Sequence, residues 1–284
     1  MECREYLAWK NLGLMNLQRL GLGVETEPPS EKALPNPPFV GLIDVCHAPF
    51  RYSSEKRLNV ADPDNGFRLL SMRVLKKSFV EASSLGAKKV VIHSAPKIFR
   101  EQTGDYGILI RSLRKLADFA KERSLKVCLE NNLRYWPCYL YQDARYINTP
   151  PEEMLETSVA GDLYFGTAPE EWAGIAGDVD RSNFFLTLDT SHAVSYTMET
   201  SDLEARKQIL ARFLDHKGRI DHVHWSDNYI TDNRGRLDSH MPLAEGTIPR
   251  EFHRKVKNLD ATKTLEFLPV YEVVKKSLEY IEYL

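Results

Sequence analysis

FFLTLDTSHA, residues 184–193, is an apolar run that ends on a carboxylate and is followed three positions later by a histidine. A run of this kind, apolar without alternation, suits a parallel strand covered on both faces. Its polar end then marks where the strand leaves the core. The same pattern recurs on either side: VGLIDVCH (40–47), KKVVIHS (88–94), LKVCLEN (125–131), RIDHVHWSD (219–227) and KTLEF (263–267), with a further strand-like run, GLGVETE, at 21–27. Helical patterns separate the runs at 67–86, 106–124, 168–180, 203–218 and 250–259. Strand and helix in alternation predict βα units, and Gly or Ser before the next strand, as in SSLGAKKVV and DHKGRIDHV, supplies the expected helix ends.

Seven strands are one short of the eight that close a TIM barrel. The fold class expected is therefore α/β, a (β/α)8 barrel as a single domain over 1–284, with an irregular or missing first strand in the first 40 residues. Residues 132–166 form an aromatic-rich insertion after the Glu130 strand. If Glu130 ends a barrel strand, Tyr135, Trp136, Tyr139 and Tyr141 leave from the catalytic face and wall a substrate pocket. A self-packed surface element is the competing reading.

With 284 residues, 43% hydrophobic and 27% charged, the chain can bury a large core. Its net charge of −2 provides no global basic field for nucleic acid. No apolar run approaches the roughly 18 residues of a membrane span, and acidic residues in the first five positions do not suit a secretory signal, so a cytoplasmic protein with no membrane partner is expected. Four cysteines without a CxxC pair predict neither disulfides nor a thiolate zinc site.

In such a barrel the C-terminal strand ends converge on one face. His47, His93, Glu130, Asp189, His224 and Glu266 each occupy such an end, His192 follows Asp189, and Asp238 and His240 sit in the loop after the His224 strand. Imidazole and carboxylate are the ligands that hold Zn²⁺ or Mn²⁺ in open, catalytic positions. A single histidine at a strand end is more often a hydrogen-bonded structural residue; the joint occurrence is the signal. His222 is passed over in favour of His224, which lies nearer the strand end. His216 and His253 fall in helical patterns and are expected at the surface, and Asp227 is expected to orient a neighbouring histidine. Arg51, Lys97 and Arg100 follow the first two histidine motifs; solvated loop charge is their default reading, and contact with phosphate the competing one.

The motifs HAPF, IHSAP, LENN, LDTSHA, HWSDN, DSHMPLAEGTIP and LEF, spread over residues 47–267, resemble the xylose isomerase-like barrel superfamily, and most closely its endonuclease IV branch. That resemblance implies two or three divalent ions, Zn²⁺ or Mn²⁺. It assigns His47 and His93 to one ion, with Glu130 as a bridging and catalytic carboxylate. Asp189, His224 and Glu266 complete a second ion, and His192, Asp238 and His240 hold a third. It implies phosphoester hydrolysis of DNA or of a phosphorylated small molecule. By their positions after the histidine motifs and in the insertion, and not by the resemblance, Arg51, Lys97, Tyr135 and Trp136 are the candidates to touch that substrate. Two alternatives stay open: a metal-dependent sugar isomerase or epimerase, and a non-catalytic metal-binding scaffold.

Overall fold

The computed structural model describes residues 12–27, 41–53, 56–138, 147–151, 153 and 162–284. Tyr139, Tyr141 and most of the first 40 positions lie outside them. Seven parallel strands belong to one sheet, ordered as in the chain: β1 (Val24–Thr26), β2 (Ile43–His47), β3 (Lys89–Ile92), β6 (Lys126–Glu130), β7 (Phe184–Asp189), β8 (Ile220–Trp225) and β9 (Thr262–Leu265). A two-stranded antiparallel hairpin, β4 (Ile98–Phe99) with β5 (Gln102–Thr103), follows β3. All seven sheet strands coincide with the runs read from sequence. The first is irregular, since its register against β2 shifts between Val24 and Glu25.

The helices are α1 (Leu14–Leu20), α2 (Asn65–Ser84), α3 (Tyr106–Lys121), α4 (Pro169–Val179), α5 (Thr190–Thr197), α6 (Leu203–Arg212), α7 (Arg250–Lys257) and α8 (Tyr271–Tyr283). Aspartates start several of them: Asp64 accepts the Gly66 amide at 3.0 Å, Asp105 that of Ile108 at 2.7 Å, and Asp202 that of Glu204 at 2.8 Å. Such a cap satisfies amides the first turn leaves orphaned and contributes on the order of 1 kcal/mol. The pattern expected to run helical to residue 218 ends at Arg212; a short 3-10 turn at Lys217–Arg219 leads into β8 instead. Helix α5, which begins directly on the end of β7, has no counterpart among the sequence-derived helices.

Two compact units divide the chain: Met1–Glu130 with Ile175–Phe185 and Leu268–Lys275, and Asn131–Gly174 with Leu186–Phe267 and Lys276–Leu284. In the first, β2, β3 and β6 run in register, pairing Cys46 with Val90, His47 with Val91 and Val91 with Cys128. Val45, Val91 and Cys128 are buried together with Phe185 packed against them. That burial explains why these strands read as continuous apolar runs. Helix α3 turns Leu109, Leu113, Leu116, Ala117 and Ala120 inward. In the second unit, Asp189 is level with His224, and Trp225 with Leu265. Among the described residues no helix is long and apolar enough to cross a membrane.

Candidate metal centre

The first unit carries a compact cluster of two imidazoles and a carboxylate. Register does most of the work: Ile92 pairs with Leu129, so His93 and Glu130, each one residue further, leave the sheet at the same level. The Nε2 atoms of His47 and His93 lie 3.1 and 3.2 Å from the same oxygen, Oε2 of Glu130. Glu130 is 1% exposed. Nδ1 of His47 faces the Ala48 carbonyl at 3.0 Å, which only an N–H can satisfy. A neutral His47 therefore presents a lone pair from Nε2 to a carboxylate, an arrangement that is repulsive without a cation or an added proton between them.

The second unit carries six ligand-type residues. Asp189 ends β7 and also caps α5, its Oδ1 accepting the His192 amide at 2.8 Å. Its other oxygen, Oδ2, is buried with no hydrogen-bond partner among the described residues and lies 3.6 Å from His192 Nδ1 and 4.0 Å from His224 Nδ1. The Asn131 side chain clamps the backbone of this same residue, accepting the Asp189 amide at 2.7 Å and donating to its carbonyl at 3.0 Å. The carbonyl of Asn131 takes Nδ1 of His192 at 2.8 Å. His192, too, thereby has its N–H fixed on Nδ1 and turns Nε2 towards Asp238 Oδ1, 3.6 Å away. His240 Nε2 is 2.7 Å from that same Oδ1, and its Nδ1 is 3.5 Å from Glu266 Oε2. Glu266 Oε2 is also 3.3 Å from His224 Nδ1. Asp189, His192 and His240 each offer one ligand atom within 4.8 Å of the others.

Electrostatics points the same way. Three carboxylates and three imidazoles converge here, and neutral imidazoles would leave the carboxylate charge uncompensated. Burial alone would raise the Asp238 carboxyl, yet the His240 and His192 imidazoles overcome it and hold the group well below the ordinary carboxylate range. Burial would lower His240, and the charges of Asp238, Glu266 and Asp189 instead raise it well above its ordinary value. In the metal-free protein, Asp238 stabilises the fold above pH 3.8, and that stabilisation is lost as pH falls through its depressed value. His240 stabilises fully below pH 6.5 and loses that contribution as pH rises through its raised value. Melting temperatures of chelator-treated wild type and of H240A should therefore differ most between pH 3.8 and 6.5, and the gap should narrow at alkaline pH. A gap that instead widens as pH rises through 6.5 would show that His240 is neutral in the metal-free protein.

Both clusters offer only nitrogen and oxygen donors, with a buried unpartnered carboxylate oxygen and ring nitrogens whose tautomers are set by carbonyls. That donor set fits Zn²⁺ or Mn²⁺. No cysteine joins these groups among the described residues, and burial, then the charge of Glu25, pushes the Cys46 thiol up to about 12.

The profile of the family described as xylose isomerase-like TIM barrel matches residues 40–283. The chain belongs to this family. A protein of Methanocaldococcus jannaschii of unassigned function is 24% identical over 248 residues, 84% of this chain and 69% of the relative. Among solved structures, endonuclease IV from Thermus thermophilus is similar with a TM-score of 0.62 at 19% identity, over 95% of this chain and 93% of that one. A D-tagatose 3-epimerase-like protein is similar with a TM-score of 0.60 at 20% identity, over 96% and 84%. At these identities the likeness is one of fold, and this barrel family holds more than one chemistry.

Other expected site residues of this family member are placed as follows. Arg51 is half-buried with its guanidinium 5.1 Å from the Phe50 ring, and that ring lies 4.9 Å from His93. Lys97 is half-buried at the base of the β4–β5 hairpin, its carbonyl accepting the Gly104 amide at 3.0 Å. Tyr135 is half-buried against Tyr164, ring centroids 5.4 Å apart. Trp136 is 0% exposed, and its indole N–H donates to the Ser195 carbonyl at 2.9 Å. It is a packing residue of the second unit rather than a pocket wall, because both its surface and its donor are already used. His222 is bound by Thr262 Oγ1 at 2.7 Å. His253 corrects the expectation of a surface residue: it is fully buried on the inner face of α7, where Nδ1 accepts the Trp225 indole N–H at 2.9 Å.

Proposed function

We propose that the protein is a metal-dependent phosphoester hydrolase that acts on DNA or on a phosphorylated small molecule. The observation that carries this reading is the cluster of His192, Asp238 and His240, in addition to Asp189, His224 and Glu266 in the same unit and to His47, His93 and Glu130 in the other. Ligand-type residues in that number suit several divalent ions, two or three per chain. Bound ions of this kind supply Lewis acidity towards phosphoryl oxygens and towards an attacking water, and they offset charge on the leaving oxygen.

The chain's own groups then have distinct tasks. The Ala48 and Asn131 carbonyls fix the N–H of neutral His47 and His192 on Nδ1, which leaves Nε2 as the nitrogen available for ligation. Glu130 holds two imidazoles against one oxygen and is the carboxylate best placed to orient a water. Arg51, beside the ring that packs on His93, supports binding of an anionic substrate.

The competing reading is sugar epimerisation or isomerisation, supported by the similarity to a D-tagatose 3-epimerase-like protein. It leaves His47, His93, Asp238 and His240 without a shared task. Elemental analysis after mild dialysis separates the two: more than one equivalent of Zn²⁺ or Mn²⁺ per chain is expected, and a reproducible single equivalent favours the epimerase reading.

A further inference from the structure

We infer that Asp227 and Asn228 are positioning residues that set the geometry of His192, Asp238 and His240 without approaching an ion themselves. This rests on the ligand reading above. Both residues follow β8 directly and are buried, Asp227 at 2% exposure and Asn228 at 0%.

Asn228 acts through the chain neighbours of two ligands. Its side-chain amide donates to Ser191 Oγ at 2.9 Å and to the Leu237 carbonyl at 3.1 Å. Ser191 precedes His192, and Leu237 precedes Asp238. One planar group therefore ties the start of α5 to the loop after β8, which fixes the separation of two ligands that lie 46 positions apart in sequence.

Asp227 acts on the other side of the loop. Its backbone exchanges two hydrogen bonds with Met241, the residue after His240, at 2.7 and 2.9 Å. Its Oδ1 accepts the Ile248 amide at 3.0 Å and its Oδ2 the Ala244 amide at 3.1 Å. On α7, Nδ1 of His253 accepts from Trp225, and its Nε2 lies 3.6 Å from Asp227 Oδ2, an ion-pair distance and not a hydrogen bond. The loop held in this way is bent into unfavourable backbone, with φ of 38° at His240 and 71° at Ala244. Such conformations persist only where surrounding bonds over-determine them. Gly246 completes the fit, since a Cβ there would lie 2.4 Å from Asp227 Oδ1.

The test compares the whole protein with N228D, S191A and H240A after loading with Zn²⁺ and gel filtration, reading ions per chain and affinity by chelator competition. Asn228→Asp removes the N–H donors and keeps the size. It should weaken one ion by about 10–100-fold, leave the others at wild-type affinity, and leave the melting temperature of the metal-free protein within a few degrees. Ser191→Ala, which deletes one of the two acceptors that Asn228 holds, should weaken the same ion to a smaller degree, and it carries the test if N228D does not fold. H240A is the control for the ligand reading itself. If H240A loses no ion, that reading fails. If H240A loses one ion while N228D and S191A lose none, or lose all ions alike together with stability, the positioning role fails and the ligand reading stands.

Discussion

Replacing Glu130 by Gln should leave the fold intact and reduce turnover by on the order of 10³-fold, the scale of a few kcal/mol of barrier. The exchange preserves volume at a residue that is 1% exposed and removes only the charge. That charge is what Nε2 of His47 and of His93 face at 3.1 and 3.2 Å. Without it the two imidazoles remain in place, yet the ion they would share loses its anionic ligand. Circular dichroism reports the fold, and the thermal shift on adding Zn²⁺ or Mn²⁺ reports the ion. A ligand present at a hundredfold over its Kd raises stability by about 2.7 kcal/mol, so the wild-type shift should be several degrees and the E130Q shift visibly smaller. Full turnover with an unchanged thermal shift would show that Glu130 has no part in the centre.

The double replacement of Asp238 and His240 by Ala is expected to abolish phosphoester cleavage. It deletes the 2.7 Å pair between His240 Nε2 and Asp238 Oδ1 and leaves His192 Nε2 without the carboxylate it faces. An ion deprived of two of its protein ligands is lost, and the stabilisation of developing charge it supplies is worth several kcal/mol, on the order of 10³-fold or more in rate. An isomerase that relied on the remaining ligands would retain activity in the same variant. Release of phosphate or of a nicked strand by wild type and variant, at saturating metal, decides between these outcomes.

Much of the fold and of the candidate site is legible in the sequence because of where these strands sit. β3, β6 and β7 are buried along almost their whole length, so they read as unbroken apolar runs. Their ends stand out because the first ionisable residue after each run is a ligand candidate. What is not legible depends on contacts distant along the chain. Helix α5 escapes a reading by pattern because Asp189 ends β7, caps the helix and offers its second oxygen to the cluster, so the strand signal leaves no gap in which a helix would be read. His253 reads as a surface residue because one helical position says nothing of an indole N–H arriving from Trp225, 28 residues earlier. Trp136 reads as a pocket wall because an aromatic-rich insertion has the same composition whether it lines a cavity or fills a core. Asp227 and Asn228 stand in the HWSDN motif, and neither their type nor their spacing shows that their bonds reach Ser191, Leu237, Ala244 and Ile248.

The most direct test of the hydrolase assignment is to assay the metal-loaded wild-type protein, at saturating Mn²⁺ or Zn²⁺, on an abasic-site duplex, on a generic phosphomonoester and on an aldose–ketose pair. Cleavage of either phosphoester that is lost in E130Q and in the Asp238/His240 double variant is the expected result. Interconversion of the sugars with neither phosphoester cleaved would contradict it and leave the isomerase or epimerase reading in its place.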